Sequence, residues 1–421
     1  MNASSRNSRR TFLKMAAMSG AALGTGLAVP RSVHAAGSDL LTVGLIGCGG
    51  RGAGAAGNAL AGRKETKLIA MGDLFRDQAV RMAGTLKAQF NDRVDVPEER
   101  IFDGFDAYTK VIACNPDIIL LGAPPGFRPL HYMAAVQARK HVFMEKPCCV
   151  DAPGYRLVMK ANQMADDNGL KVTVGLQRRH SKSYNDAIPK LQEGAIGKIL
   201  FLRCYWNGEH AHGGYGGEPP KQRELEWQIK NWNHFCWLSG DHIVEQHVHN
   251  IDVCNWILKD AHPTEANGMG GREVRKKSNM YDHHFVEFTY ADGTKMYSQC
   301  RQIGGCWNPV TEFAHGTTGS MELGGNGNDG YEKEHVNLVA AIKSGAKLND
   351  GWHGANSTMT AVLGRMATHS GQVVLWDKAV QSEESLAPEY SSLDAKPPVT
   401  VGPDGLYPVD VPGVYKPYKN V

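Results

Sequence analysis

The stretch GDHIVEQHVHNIDVCNWI, residues 240–257, sets His242, Glu245, His247, His249 and Asp252 among apolar side chains. Such residues either hold a metal ion or move protons, and the local backbone decides which. In a strand, Glu245, His247 and His249 share one face and form a metal triad. In a helix each residue turns by ~100°. Val244, Val248, Ile251, Cys254 and Leu258 then line an apolar face, and Glu245, His249, Asp252 and Trp256 line another. The sustained apolar stripe favours the helix. His247 then falls nearly opposite His249, so one ion cannot take both, and no metal is assigned. His242 falls at or before the helix start. Asp252 either binds substrate or forms a salt bridge within the protein.

The elements that must position this face begin at Leu40. An apolar run, LLTVGLI, leads into Gly47-Cys48-Gly49-Gly50-Arg51-Gly52 and an alanine-rich stretch. This is G-x-G-x-x-G between a strand and a helix. The first glycine permits the turn, the second lets backbone approach a pyrophosphate, and the third lets helix pack on strand. The free N–H groups of the helix start then face the phosphates. The next strand, TKLIAMGD, ends in Asp73, 26 residues after Gly47, where a carboxylate meets the adenine ribose hydroxyls. That charge repels a 2′-phosphate, so NAD is favoured over NADP, with Arg76 the residue that keeps NADP open. Asp73 is also a candidate helix cap.

Further strands are expected in PDIILLGAPP (116–125), HVFMEKP (141–147) and LKVTVGLQRRH (170–180). Ligands of an open parallel sheet sit beyond its carboxyl ends. Pro124, Glu145, Lys146, Gln177, Arg178 and His180 stand at those ends, with Asp73.

The order VGLIGCGGRG, GAPP, RKHVFMEKP, VGLQRRH and EQHVHNIDVCNWI resembles the Gfo/Idh/MocA oxidoreductases, the glucose–fructose oxidoreductase and inositol dehydrogenase group. The resemblance covers about Leu40 to Asp377. It implies a Rossmann domain, a doubly wound parallel sheet, followed by an α/β domain with an open, mainly antiparallel sheet that often mediates homo-oligomerisation. It implies hydride transfer between NAD(P) and a carbohydrate carbon. Lys146 matches the lysine of E-K-P. Glu245 and His249 match the acid and the histidine of D-x-x-x-H, with glutamate in place of aspartate. Gln177 stands where many relatives have asparagine.

These residues suit alcohol oxidation. Hydride leaves the carbon only if the hydroxyl proton also leaves, so a base and an oxygen-binding donor are needed. Lys146 is the expected cation on the oxygen and His249 the proton acceptor. Glu245 orients that ring or binds a second hydroxyl. Arg178, His180 and Asp252 are candidate substrate contacts. The cofactor set is Gly47, Gly49, Gly50, Arg51, Gly52, Asp73, Pro124, Glu145, Lys146 and Gln177.

The chain of 421 residues is long enough for two domains. Residues 38–178 are expected to form the first, 179–380 the second, and 381–421 a Pro- and Ser-rich wrapping segment. KILFLRCYW opens the second domain with Phe201, Arg203 and Tyr205 on one face. Residues 282–302 read as a hairpin around Ala-Asp-Gly. The loop 207–224, with His210 and His212, reads as a polar lid. Trp227, Trp232 and Trp237 either stack on sugar rings or pack together. A formal charge of +3 without a basic run excludes nucleic acid as the expected partner. Residues 1–35, with Arg9-Arg10 ahead of a short apolar stretch and Val33-His34-Ala35, resemble a twin-arginine signal. Export to the periplasm follows as an expectation, without a stable membrane span after processing. An exported dinucleotide enzyme has no free NAD pool, so a retained cofactor with redox-neutral turnover is one expected form. A metal-dependent sugar lyase or hydrolase on the same scaffold is the alternative. The nine cysteines show no C-x-x-C, and no structural disulfide is expected.

Overall fold

The computed structural model describes residues 40–209, 220, 223–325 and 327–421. The twin-arginine stretch, His210 and His212 lie outside them. The apolar runs become β1 (Leu41–Ile46), β2 (Thr66–Asp73), β3 (Ile101–Asp103), β4 (Ile118–Leu121), β5 (His141–Met144) and β6 (Val172–Val174). They form a parallel sheet in the order β3-β2-β1-β4-β5-β6. All four β4 residues are buried. Helices cover both faces of a doubly wound sheet, which leaves no polar side to alternate. Strand order reverses between β1 and β4, so a crevice opens at their carboxyl ends.

β6 is shorter than the run 170–180 implied. The chain bends at Gly175 and continues as a 3-10 turn over Gln177–His180. A Cβ at Gly175 would stand 2.7 Å from Glu145 Oε2, so the bend brings backbone close to that carboxylate.

The second sheet contains β7 (Ile199–Gly208), β8 (Glu265–Gly271), β9 (His283–Thr289), β10 (Lys295–Gln302), β11 (Val310–Gly316), β12 (Ser320–Leu323) and β13 (Val374–Leu375). Its order is β12-β11-β7-β10-β9-β8-β13. β7 and β10 run parallel, and the remaining pairs are antiparallel. The expected hairpin is β9–β10, with Thr289 opposite Lys295. Leu202 and Cys204 face inward, while Phe201, Arg203 and Tyr205 alternate outward. The inner face is covered by Val248–Ile257 and by Gly351–Ser370, a helix buried along nearly its whole length.

The helix expected to start at or just after His242 is broken in two, His242–Glu245 and Val248–Ile257. The break has a partner. The fully buried His247 ring reaches β10 and β7, with Nε2 2.8 Å from Ser298 Oγ and 3.5 Å from Cys204 Sγ. At the break Nε2 finds a partner that burial would otherwise deny it, while Nδ1 has none among the described residues.

One element has no counterpart in the sequence analysis. The helix Gly330–Ser344 returns to the first sheet, packing beside the helix Gly50–Gly62 and against β5 and β6, and its Leu338, Val339 and Ile342 join the core cluster that also holds side chains of β1 and β2. Residues 381–421 form no helix or strand and pack along the surface, with Tyr407 buried against Trp227, Phe235 and Trp237. The tryptophans therefore pack together rather than line a cleft. All nine cysteines are free thiols. Among the described residues no helix is long and apolar enough to cross a membrane.

Candidate active site

The glycine loop divides by what surrounds each residue. Gly47 has φ +88°, and a Cβ there would stand 2.2 Å from Ala123 N. A Cβ on Gly52 would stand 2.0 Å from Gly47 O. Protein packing alone demands these two glycines. Gly49 and Gly50 meet nothing within 4 Å. Gly49 caps the helix Gly50–Gly62 without a side-chain bond, and no acidic residue lies in its first turn. The open backbone and uncapped N–H groups fit a dinucleotide pyrophosphate.

Asp73 sits at the end of β2 beside this loop. Its Oδ2 accepts from Cys48 N at 2.6 Å and its Oδ1 from Phe75 N at 3.0 Å. The following helix starts without a side-chain cap, so Asp73 holds the glycine loop rather than capping that helix. Burial raises its carboxyl, and the bonds from Phe75 and Cys48 oppose the rise. Arg76 donates to Ile101 O at 2.6 Å and pairs with Glu98 and Asp103, so its charge is met within the protein.

At the next strand ends, Pro124 is half-buried. Arg51 Nε lies 2.9 Å from the buried Glu145 Oε1, with its guanidinium 4.8 Å from the Tyr331 ring centre. Burial raises the Glu145 carboxyl against the pull of Arg51, Lys146 and Arg128. Gln177 is buried, and its Oε1 has no partner among the described residues, which leaves an acceptor for a ligand.

Lys146, just past β5, crosses to the helix His242–Glu245. Its Nζ donates to Glu245 Oε1 at 2.9 Å and to Glu245 O at 2.6 Å. Both side chains are only 12% exposed. The longer glutamate arm is therefore spent on the lysine rather than on the His249 ring, the first of the two roles that the sequence left open for it. His249 instead lies against Trp206 of β7, with ring centres 5.6 Å apart and planes at 22°. Its Nδ1 is buried with no partner among the described residues. Burial, then the nearby Lys146 and Arg178 charges, hold its imidazole well below the usual range, so the ring is neutral at pH 7.

The three expected substrate contacts are engaged elsewhere. Arg178 is buried and bonded to Glu312, with its guanidinium 5.7 Å from the Trp206 ring centre. Asp252 accepts two bonds from Arg179, at 2.8 Å each, and one from Ser357 at 2.8 Å. That is the internal salt bridge the sequence left open. His180 Nδ1 lies 2.9 Å from Asn337 Nδ2, and its Nε2 lies 3.5 Å from Asp350. Each is bonded within the protein to residues that the sequence does not show to be adjacent: Arg178 to β11, Asp252 to the turn Gln177–His180 and the helix Gly351–Ser370, and His180 to the helix Gly330–Ser344 and Asp350.

Other residues in this region come into view only in three dimensions. Glu312 on β11 also takes bonds from Asn250 at 2.5 Å and Tyr184 at 3.2 Å. Burial pushes its carboxyl up to about 7, against the opposing pull of Arg178. Arg128 is buried and bonds Ala123 O and Pro147 O, so it ties the loops after β4 and β5 together. Among the described residues no group of three His, Cys, Asp or Glu could hold a metal.

Residues 41–176 match the family described as GFO_IDH_MocA, oxidoreductase family, NAD-binding Rossmann fold. Inositol 2-dehydrogenase of Serratia proteamaculans is 24% identical over 256 residues, 61% of this chain and 66% of that protein. Inositol 2-dehydrogenase/D-chiro-inositol 3-dehydrogenase of Halalkalibacterium halodurans is 26% identical over 196 residues, 46% of each. The chain thus spans less than two thirds of the length of either relative. The structure of scyllo-inositol dehydrogenase from Lactobacillus casei, with bound NAD(H) and scyllo-inositol, aligns with a TM-score of 0.64 and 19% identity. It covers 80% of this chain and 99% of its own, a likeness of fold. Residues 41–176, with their glycine cradle and the strand ends around it, carry the NAD-binding Rossmann fold of the GFO_IDH_MocA oxidoreductases.

Proposed function

We propose that the protein is an NAD-dependent dehydrogenase acting on a CH–OH carbon of a cyclic polyol or sugar, of the kind the similar inositol dehydrogenases are named for. The observation that carries this reading is Lys146 at the β5 end, held by Glu245 and close to the neutral His249, on the edge of a glycine loop open to a dinucleotide. Bound NAD+ supplies the hydride acceptor. Lys146 donates a hydrogen bond to the reacting hydroxyl oxygen and stabilises its developing negative charge. His249 accepts the hydroxyl proton at Nε2, because Nδ1 is closed off by burial. Glu245 fixes the ammonium, and Trp206 fixes the plane of the imidazole. The Asp73 carboxylate and the paired Arg76 favour NAD over NADP. Reduction of NAD+ by a panel of inositols and aldoses tests the reading. No turnover with any of them, in protein that binds NAD, overturns it.

The finer form is an exported enzyme that keeps and recycles its cofactor. It is supported by the twin-arginine-like residues 1–35 and by the lack of a free dinucleotide pool outside the cytoplasm. Cell fractionation of the Arg9→Lys, Arg10→Lys double variant tests the export. Dinucleotide measured in the folded, purified protein tests the retention. Homo-oligomerisation through the outer face of the second sheet is supported by Phe201, Tyr205, Tyr297 and Phe313 in edge contacts there, with Trp307 65% exposed beside them. Light scattering of Trp307→Lys tests that assembly.

A further inference from the structure

The short helix His242–Glu245 delivers the residue that holds Lys146, and its start is unusual. Asp241, before it, is fully buried and has φ +86°. A non-glycine residue there is strained and persists only when its surroundings over-determine it. They do. Asp241 Oδ1 accepts from His242 N at 2.5 Å and lies 3.3 Å from His284 Nε2. Oδ2 lies 2.9 Å from His369 Nε2 and accepts from Tyr281 N at 3.2 Å and Cys236 Sγ at 3.6 Å.

His369 is held from its other side. Its Nδ1 lies 2.8 Å from Asp410 Oδ2, in the segment after residue 380 that has no helix or strand. One turn earlier on the same helix, Arg365 donates to Gly240 O at 3.1 Å and to Val150 O at 2.7 Å. Gly240 precedes Asp241, and Val150 lies four residues after Lys146. Arg365 and His369 thus hold, from one helix, the two chain segments that carry Lys146 and Glu245.

We infer that Asp410, His369 and Arg365 are positioning residues for the Lys146–Glu245 pair, and that the C-terminal segment acts on the site through the hydrogen-bonded chain from the exposed Asp410 through the buried His369 to the buried Asp241. This rests on the reading of that pair as the reacting one. The electrostatics agree with the geometry. The hydrogen bonds of Asp241 and Asp410 raise the His369 imidazole against the cost of burial. The His284 and His369 partners hold the Asp241 carboxyl well below its usual range, also against burial. Asp410 reaches His369 from the wall of a cavity of about 220 Å³, also lined by Arg365, Glu384 and Tyr415. A change there removes one contact without repacking a core.

The test compares Asp410→Asn, Asp410→Glu and His369→Gln with the parent, using NAD+ and myo-inositol and amide hydrogen exchange. In Asp410→Asn and His369→Gln, exchange across residues 242–246 should quicken about tenfold and kcat should fall about tenfold, with NAD+ affinity within about twofold of the parent. Asp410→Glu should restore most of the kcat. Parental exchange in Asp410→Asn overturns the inference, and so does faster exchange with kcat unchanged. If His369→Gln does not fold, Asp410→Asn decides. If the parent turns over no polyol, the proposed function fails, while the exchange measurement still decides this inference.

Discussion

Lys146 Nζ is bonded twice to one residue, Glu245, once to its carboxylate and once to its backbone carbonyl. The carbonyl is one of those that a helix C-terminus leaves unpaired. Lys146→Met should lower kcat by about a thousandfold while NAD+ binding persists, because it removes the donor to the reacting oxygen. Glu245→Gln keeps the carbonyl contact and loses the ion pair, so kcat should fall by about tenfold to a hundredfold. Steady-state kinetics with titration of bound NAD+ separate the two.

The glycine loop predicts opposite outcomes for neighbouring substitutions. Gly52→Ala would place a methyl 2.0 Å from Gly47 O and should cost at least ~2 kcal/mol of stability. Gly49→Ala meets no protein atom and should leave stability within ~0.5 kcal/mol. The same methyl stands where the pyrophosphate would approach, so NAD+ affinity should weaken about tenfold or more. Denaturant unfolding and NAD+ titration on both variants check the split.

Trp206 supports His249 by its face rather than by a hydrogen bond. Trp206→Leu should lower kcat about tenfold or more with NAD+ affinity unchanged, because the imidazole plane loses its stop. Trp206→Phe should retain most of the activity. Equal losses in both variants would show that the stack does not set the ring.

Acid stability follows from buried neutral histidines. Burial pushes His131 and His335 down to about 3, helped by Arg128 for the first and by Arg51 and His180 for the second. In the unfolded chain each titrates near the ordinary histidine value of about 6.5. As pH falls through that value the unfolded state takes up protons first, so unfolding is favoured. The contribution is complete above pH ~6.5 and is lost progressively towards pH ~3, by ~2.7 kcal/mol each at pH ~4.5. His335→Gln should flatten the acid limb of a stability–pH curve measured by urea unfolding.

The parallel sheet was legible because strands covered on both faces read as unbroken apolar runs, and because the glycine loop sits between one such run and a helix. Lys146, Glu245 and His249 could be named from their motifs. Their mutual geometry could not. The split after Glu245 sets His247 against Ser298 and Cys204, which come together only when β10 lies beside β7. Arg178, His180 and Asp252 were polar residues at the right strand end or helix face, but Glu312, Asn337, Asp350 and Arg179 claim them through contacts that one sequence does not reveal. The helix Gly330–Ser344 did leave a signal, since His335, Leu338, Val339 and Ile342 recur at helical spacing and are all buried.

That returning helix has a consequence for the order of folding. The last strand of the first sheet ends at Val174, yet the helix carrying Leu338, Val339 and Ile342 completes the layer beside the helix Gly50–Gly62, over β5 and β6. A ribosome adds about 5–20 residues per second, so for roughly 10–30 s of synthesis the nascent chain carries an apolar face with no cover. The dinucleotide domain is therefore finished late, by a segment made after most of the second sheet. A fragment ending near residue 178 would present that face permanently to solvent.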